Sequence, residues 1–277
     1  MGKNNLAALE SKPFVGPIVK YFRQHYAILL VLIGLCVILS LTAGNFATFN
    51  NVVTVLRTVS TTGLLAVGVS LAIMLGGIDL IAGAMIACSG VLVVVSMERA
   101  GLPMIVAIAI GVVLGVIVGL INGSLVAYSG IHPFVVTLAM QSILRGAAYL
   151  LAGGMPVPLY VNDVFPKIGT GSLWGVPLPA VYMLVVFFLY YMLLNKTRLG
   201  RHIYAVGGNA TAAEFSGINV KKVKIFVWTV SGILAAIAGI VLSARLSSGQ
   251  PSTSLGAETD AIAASVLGGT SMYGGTG

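Results

Sequence analysis

The chain has 277 residues, 58 % of them hydrophobic and only 8 % charged, with a mean hydropathy of +1.03 and a formal net charge of +8. Soluble domains carry roughly 25 % charged residues, so this composition excludes a soluble globular protein. Ten of the fifteen Lys and Arg lie before residue 25 or between 195 and 224. Basic residues gathered on the segments that flank apolar runs follow the positive-inside bias, so the charge points to a membrane and not to nucleic acid.

Phe14, Val15, Ile18, Val19 and Phe22 recur at helical spacing while Lys12, Lys20 and Arg23 face elsewhere, which predicts an interfacial helix within a cytoplasmic tail over 1–25. The leader is long and basic and the run after it reaches spanning length, so no cleavable signal peptide is expected. Seven apolar segments follow, at 26–44, 52–75, 80–97, 103–128, 134–152, 177–194 and 225–246. A helix of about 20 apolar residues crosses a ~30 Å hydrocarbon layer. The fold class is therefore an all-α, polytopic helical membrane protein, with a six-span bundle over 26–194 and a seventh span after it. Cys36 and Cys88 sit inside apolar runs, so neither a disulfide framework nor a zinc site is expected.

Starting inside, six crossings return the chain to the cytoplasm at Asn195, where a basic segment begins. The external connections 45–51, 98–102 and 153–176 carry no excess of positive charge. Pro156, Pro158, Pro166, Pro177 and Trp174 make 153–176 an ordered external loop with Trp174 at headgroup level, or alternatively a docking surface for an external partner. The 195–224 segment holds Lys196, Arg198, Arg201, Lys221, Lys222 and Lys224 against one acid, Glu214. A loop this long has a task beyond connection. A short helix around 210–216 ended by Gly217 would fit a groove on a partner. After the seventh span a polar run, 247–259, precedes Asp260-Ala-Ile-Ala-Ala-Ser-Val-Leu267. That piece is too short to cross and reads as a re-entrant or half helix. The glycine-rich end at Gly277 reads as a C-terminal truncation.

Charged and polar groups inside apolar segments are the candidates for function. Asp79 reads either as an N-cap accepting amide bonds from residues 81 or 82, or as a gating group on the substrate path. Asp79-Leu-Ile-Ala and Asp260-Ala-Ile-Ala suggest two related halves with broken helices. Arg145 either snorkels or pairs with Asp79, Asp163 or a backbone carbonyl. Asn122 and Thr137 are expected to join helices by hydrogen bonds. Arg57 and Arg245 fall near the outer interface. No phosphate loop, G-x-S-x-G elbow or H-E-x-x-H occurs, so the chain carries no visible nucleotide site and no catalytic constellation.

Eight stretches in order carry a family resemblance: Gly76-Gly-Ile-Asp-Leu80, Gly119-Leu-Ile-Asn-Gly123, Pro133-Phe-Val-Val-Thr-Leu138, Arg145-Gly146, Thr197-Arg-Leu-Gly-Arg201 with Gly207-Gly-Asn209, Ser216-Gly-Ile-Asn-Val220, Ala244-Arg-Leu-Ser-Ser248, and Asp260-Ala-Ile-Ala-Ala264 through Gly275. The chain resembles the membrane permease subunit of bacterial ABC sugar importers of the ribose type, the branch that also contains galactoside and xylose permeases. The resemblance implies a multi-pass protein of the bacterial inner membrane with a cytoplasmic N-terminus. It also implies three partners: a cytoplasmic ATPase holding ATP and Mg, a periplasmic sugar-binding protein and a second permease copy. In that reading Arg198, Gly200, Arg201, Gly207, Gly208, Asn209, Ala212, Ala213, Glu214 and Gly217 form the coupling loop, while Asp79, Asn122, Thr137, Arg145 and Asp260 belong to the translocation path or its gate. The chain departs from the family pattern at Ile81, where Ser is usual, at Ala210 and Thr211, where a Glu is usual, and at Glu214, where a basic residue is usual. The competing readings are an ion-coupled secondary sugar transporter and a fragment that only assembles with other subunits.

Overall fold

A computed structural model describes residues 30–277. The interfacial helix expected before residue 26 lies outside the described residues. The seven apolar segments correspond to seven apolar helices. These are α1 (Leu30–Thr42), α2 (Phe49–Met74), α3 (Ala82–Glu98), α4 (Met104–Tyr128), α5 (Pro133–Ala152), α7 (Leu178–Lys196) and α10 (Val220–Leu246). Five of them are long and apolar enough to cross a membrane. Four shorter helices complete the set: α6 (Phe165–Thr170), α8 (Arg198–Gly208), α9 (Ala210–Phe215) and α11 (Ala257–Leu267). The protein is a polytopic helical membrane protein.

The chain divides into two compact units, Met1–Thr54 and Val55–Gly277. In the first, α1 ends in a turn where the Asn51 side-chain amide donates to the Phe46 carbonyl at 2.8 Å. In the second, α10 is the central helix. Its most apolar stretch is 61 % buried, against 17 % for α7.

Glycine spacing sets how closely α4 approaches α10. Gly111, Gly115, Gly119 and Gly123 recur every fourth residue and so stand on one face of α4. A Cβ on Gly115 would lie 2.7 Å from the Gly232 carbonyl, one on Gly119 2.6 Å from the Thr229 Cα, and one on Gly123 2.8 Å from the Ile225 Cα. Only a face without side chains permits this contact, the small-residue packing of membrane helices. Beside it, Gly90 and Ser89 of α3 meet Gly239 and Ala236 of α10, and the Ser89 hydroxyl donates to the Ala236 carbonyl at 3.2 Å.

The two ends of the bundle differ. At the basic end, α8 packs on Met74 and Lys221 stands 4.9 Å over the Tyr128 ring. At the opposite end, both terminal nitrogens of Arg99 cap α5 through the Leu151 and Ala152 carbonyls at 2.8 and 2.9 Å. There α6 packs on α10, because Gly169 lets its backbone meet Arg245 and Val241. The 153–176 connection is ordered by Asn162, which caps α6 through the Val164 and Phe165 amides, and by a hairpin pairing β2 (Ser172–Leu173) with β3 (Val176–Pro177). Trp174 and Gly175 at its tip both have positive φ, the requirement of a type I′ turn, and Trp174 is 95 % exposed.

After α10 the chain turns back. β4 (Ser248–Gly249) pairs antiparallel with β1 (Val157–Pro158), and turns over 251–256 lead to α11. With 11 residues this helix is about 16 Å long, half of a crossing. It is the expected half helix.

Candidate functional site

Polar chemistry gathers in two places, on the surface of the basic end and within the bundle.

The basic segment expected over 195–224 is largely helical. α7 runs to Lys196 and α10 begins at Val220, so Lys221, Lys222 and Lys224 stand on the first turns of the seventh span. Between them the sequence places a capping side chain at each helix start. Thr197 accepts the Gly200 amide, Asn209 the Ala212 amide and Asn219 the Lys222 amide, at 3.1, 2.9 and 3.0 Å. Gly217, with φ +82°, ends α9 as expected: its amide bonds the Glu214 carbonyl at 2.9 Å and that of Ile218 bonds the Ala213 carbonyl at 3.0 Å.

The residues of the segment fall into two groups. Gly200, Gly207 and Ala213 face inward. A side chain on Gly200 would collide with the Leu193 and Leu194 carbonyls, and one on Gly207 with the Met74 carbonyl. The Gly275 amide also donates to Met74 O at 2.9 Å, so α8, the end of α2 and the 268–277 turn meet backbone to backbone. Arg198, Arg201, Gly208, Asn209, Ala212, Glu214 and Gly217 are exposed. Among them stands Phe215, 89 % exposed at the end of α9.

Within the bundle, Asp79 is fully buried in the 75–81 connection between α2 and α3. Its Oδ1 accepts the Ile81 amide at 3.0 Å, one of the two alternatives expected, although the cap position of α3 is Ile81 itself. Its Oδ2 accepts the Ser231 hydroxyl of α10 at 2.5 Å. Asp79 thus ties the connection to the central helix. Thr137 of α5 does the same from the other side, donating to the Ile78 carbonyl at 3.1 Å, while Gly77 admits Pro133 and Trp228 to within 3.2 Å of the place a Cβ would occupy.

Arg145 bonds neither Asp79 nor Asp163. Its Nη1 donates to the Pro251 and Thr253 carbonyls at 2.8 Å each, the backbone alternative, and so pins the turn that leads into α11. Nearby, Gln141 donates to Glu258 Oε1 at 2.9 Å. Among the described residues Glu258 Oε2 is buried without a hydrogen-bond partner, and it lies against Gly83, where a Cβ would collide with it. Gly83 is in the first turn of α3, and the positive end of that helix offsets part of the charge.

Two expectations need correction. Asn122 is fully buried, yet neither its oxygen nor its nitrogen finds a hydrogen-bond partner among the described residues, so it ties none of the described helices together by such a bond. Asp79 and Asp260 are not equivalent positions. Asp79 is buried and stands before its helix, whereas Asp260 is exposed and lies within the first turn of α11, lining a cavity with Thr58, Thr61, Thr62 and Arg245. The buried acid of α11 is Glu258.

Comparison with known proteins follows this geometry. The family described as the permease component of the branched-chain amino acid transport system matches residues 51–276. The chain belongs to that permease family. It is similar to the ribose import permease protein RbsC of Escherichia coli (strain K12), 42 % identical over 265 residues that cover 93 % of this chain and 82 % of the relative. RbsC of Bacillus subtilis (strain 168) is 43 % identical over 244 residues, 88 % of this chain and 76 % of the relative. The D-allose transport system permease protein AlsC of Escherichia coli (strain K12) is 36 % identical over 271 residues, 98 % of this chain and 82 % of the relative. No solved structure matches the chain.

Reading the permease from sequence passes over Ser231, Glu258 and Phe215. Ser231 and Glu258 become notable only once α10 and α11 are placed beside Asp79 and Gln141. Phe215 did leave a signal: a large apolar residue among small and polar neighbours in a basic segment outside the spans.

Proposed function

We propose that this permease forms the translocation pathway of an ATP-driven ABC importer for a monosaccharide, ribose or a close relative, delivered by a periplasmic binding protein. The observation that carries the proposal is the basic-end surface. There, two capped helices stand outside the spans and expose Arg198 and Arg201 from one and Glu214 and Phe215 from the other. An exposed aromatic side chain at the end of a short helix is the kind of anchor that fills a groove on a partner. The basic residues support a cytoplasmic position for this end. Gly207 carries motion at that surface into the membrane, since α8 and the end of α2 touch there through backbone atoms that cannot yield separately.

ATP and Mg belong to the docked ATPase, and a second permease copy completes the pathway. The names of the ribose and allose relatives support a sugar as cargo. A pathway fed by a binding protein needs little affinity of its own, which agrees with polar groups spent on holding elements together.

The test is co-purification of the chain with the ATPase subunit of a ribose importer, followed by ribose uptake in vesicles holding the binding protein. We expect binding by the parent and its loss in Phe215→Ala and Gly217→Arg, neither of which touches a span. Uptake that needs a proton or sodium gradient and no ATP would overturn the proposal. It would favour an ion-coupled transporter, for which the buried Glu258 and Asp79 are the acids available.

A further inference from the structure

Four cavities of the bundle differ in lining. One of about 350 Å³ lies beside Phe187 and Tyr190, one of about 250 Å³ is lined by Leu, Val and Tyr190, and one of about 10 Å³ is closed between α3 and α10. The fourth, about 200 Å³, sets Thr58, Thr61 and Thr62 of α2, Arg245 of α10 and Asp260 of α11 against an apolar wall that includes Leu65, Ile86 and Leu242. Its size exceeds more than tenfold the roughly 10–15 Å³ that one water needs.

The three threonines are spaced i, i+3, i+4 and so share one face of α2. Thr58 and Thr62 lie about 14 and 20 Å along a helix of about 38 Å, beside the outer end of α10 where Arg245 stands. Thr58 and Asp260 are exposed, and Arg245 Nη1 reaches Thr58 Oγ1 at 3.1 Å. An exposed carboxylate beside an arginine and a threonine face marks a wet surface, since facing hydrocarbon would cost it a few kcal/mol. Val113, Ile117, Leu184 and Val185, near the middle of their helices, expose apolar side chains instead.

We infer that the Thr58, Thr61 and Thr62 face of α2, closed by Arg245 and Asp260, is a water-filled contact site for a neutral polyhydroxylated sugar on its way through the membrane. The inference rests on the importer reading above. Hydroxyls donate and accept, Arg donates only and Asp accepts only, so the set matches a ring of sugar hydroxyls in any rotation. Neutral hydrogen bonds exchanged for those of water are individually weak, which suits a site that must release what it holds. Asp260 thereby takes the path role expected for it, whereas Asp79, Thr137 and Arg145 hold the elements around the path in place.

Single cysteines test this in chains whose Cys36 and Cys88 are replaced by Ser and Ala, co-expressed with the ATPase and the binding protein. A charged thiosulfonate reacts with thiolate, which forms in water and not in hydrocarbon. Thr62→Cys is expected to react, with a rate that changes when ribose and ATP are added, and Val113→Cys is expected to react only with a lipid-soluble maleimide. Thr62→Val is expected to lower ribose uptake about two- to tenfold, the worth of one neutral hydrogen bond, with ATPase co-purification unchanged. Thr62→Cys reacting only with the maleimide would overturn the aqueous site. Reaction indifferent to ribose, together with parental uptake in Thr62→Val, would overturn the sugar contact while leaving the importer reading intact. A parent chain that imports no sugar takes both readings down.

Discussion

Replacing Gly119 by Ala puts one methyl group where α4 and α10 meet backbone to backbone. The new Cβ would lie 2.6 Å from the Thr229 Cα, 2.7 Å from the Trp228 carbonyl oxygen and 3.1 Å from the Thr229 carbonyl oxygen. All three are backbone atoms of α10, so no rotamer change relieves the contact. Ordinary carbon contacts begin near 3.5 Å, so α4 and α10 must part by nearly 1 Å. That separation also loosens Gly115 and Gly123 on the same seam. Overpacking of this kind costs about 1–3 kcal/mol, partly offset by up to ~1 kcal/mol of helix propensity gained on leaving Gly. Gly146→Ala is the matched comparison. It is the same exchange inside α5, at a position where nothing lies within 4 Å of the new methyl group, so it keeps the propensity gain alone. In detergent, the apparent Tm of Gly119→Ala should fall by several degrees, on a scale of about 2–4 °C per kcal/mol for chains of this size. That of Gly146→Ala should hold or rise. Equal shifts in the two variants would show that the α4–α10 seam is not close-packed and that the reasoning from glycine spacing fails.

Two further outcomes follow from single contacts. Ser231→Ala takes one of two hydrogen bonds from the buried Asp79 carboxyl. It should cost about 1.5–3 kcal/mol, read as a lower unfolding temperature, and an unchanged transition would remove Asp79 as the tie between the 75–81 connection and α10. Gly207→Ala drives a methyl group into the Met74 carbonyl, whereas Gly208→Ala meets nothing. Transport should fail in the first and persist in the second with the ATPase bound to both, and equal transport would show that the α8–α2 contact transmits nothing.

The seven apolar helices were legible in the sequence to within a few residues because a ~30 Å hydrocarbon layer demands apolarity of each separately, and spanning length of the five that can cross it. The end of α9 at Gly217 and the half length of α11 were legible for a similar reason: a residue that accepts positive φ and a run too short to cross are local properties. The four-residue glycine spacing of α4 was also there to be read, although its partner was not. What only the tertiary structure decided is which distant groups meet. Asp79 and Ser231 are separated by 152 residues and Gln141 and Glu258 by 117, and nothing in either segment specifies the other. The same holds for Asp260, exposed against a threonine face, and for Asn122, buried without a hydrogen-bond partner among the described residues. Apolarity along a span is fixed by the solvent around one helix, whereas the partner of a polar group inside the membrane is fixed by the angle and depth at which several helices pack.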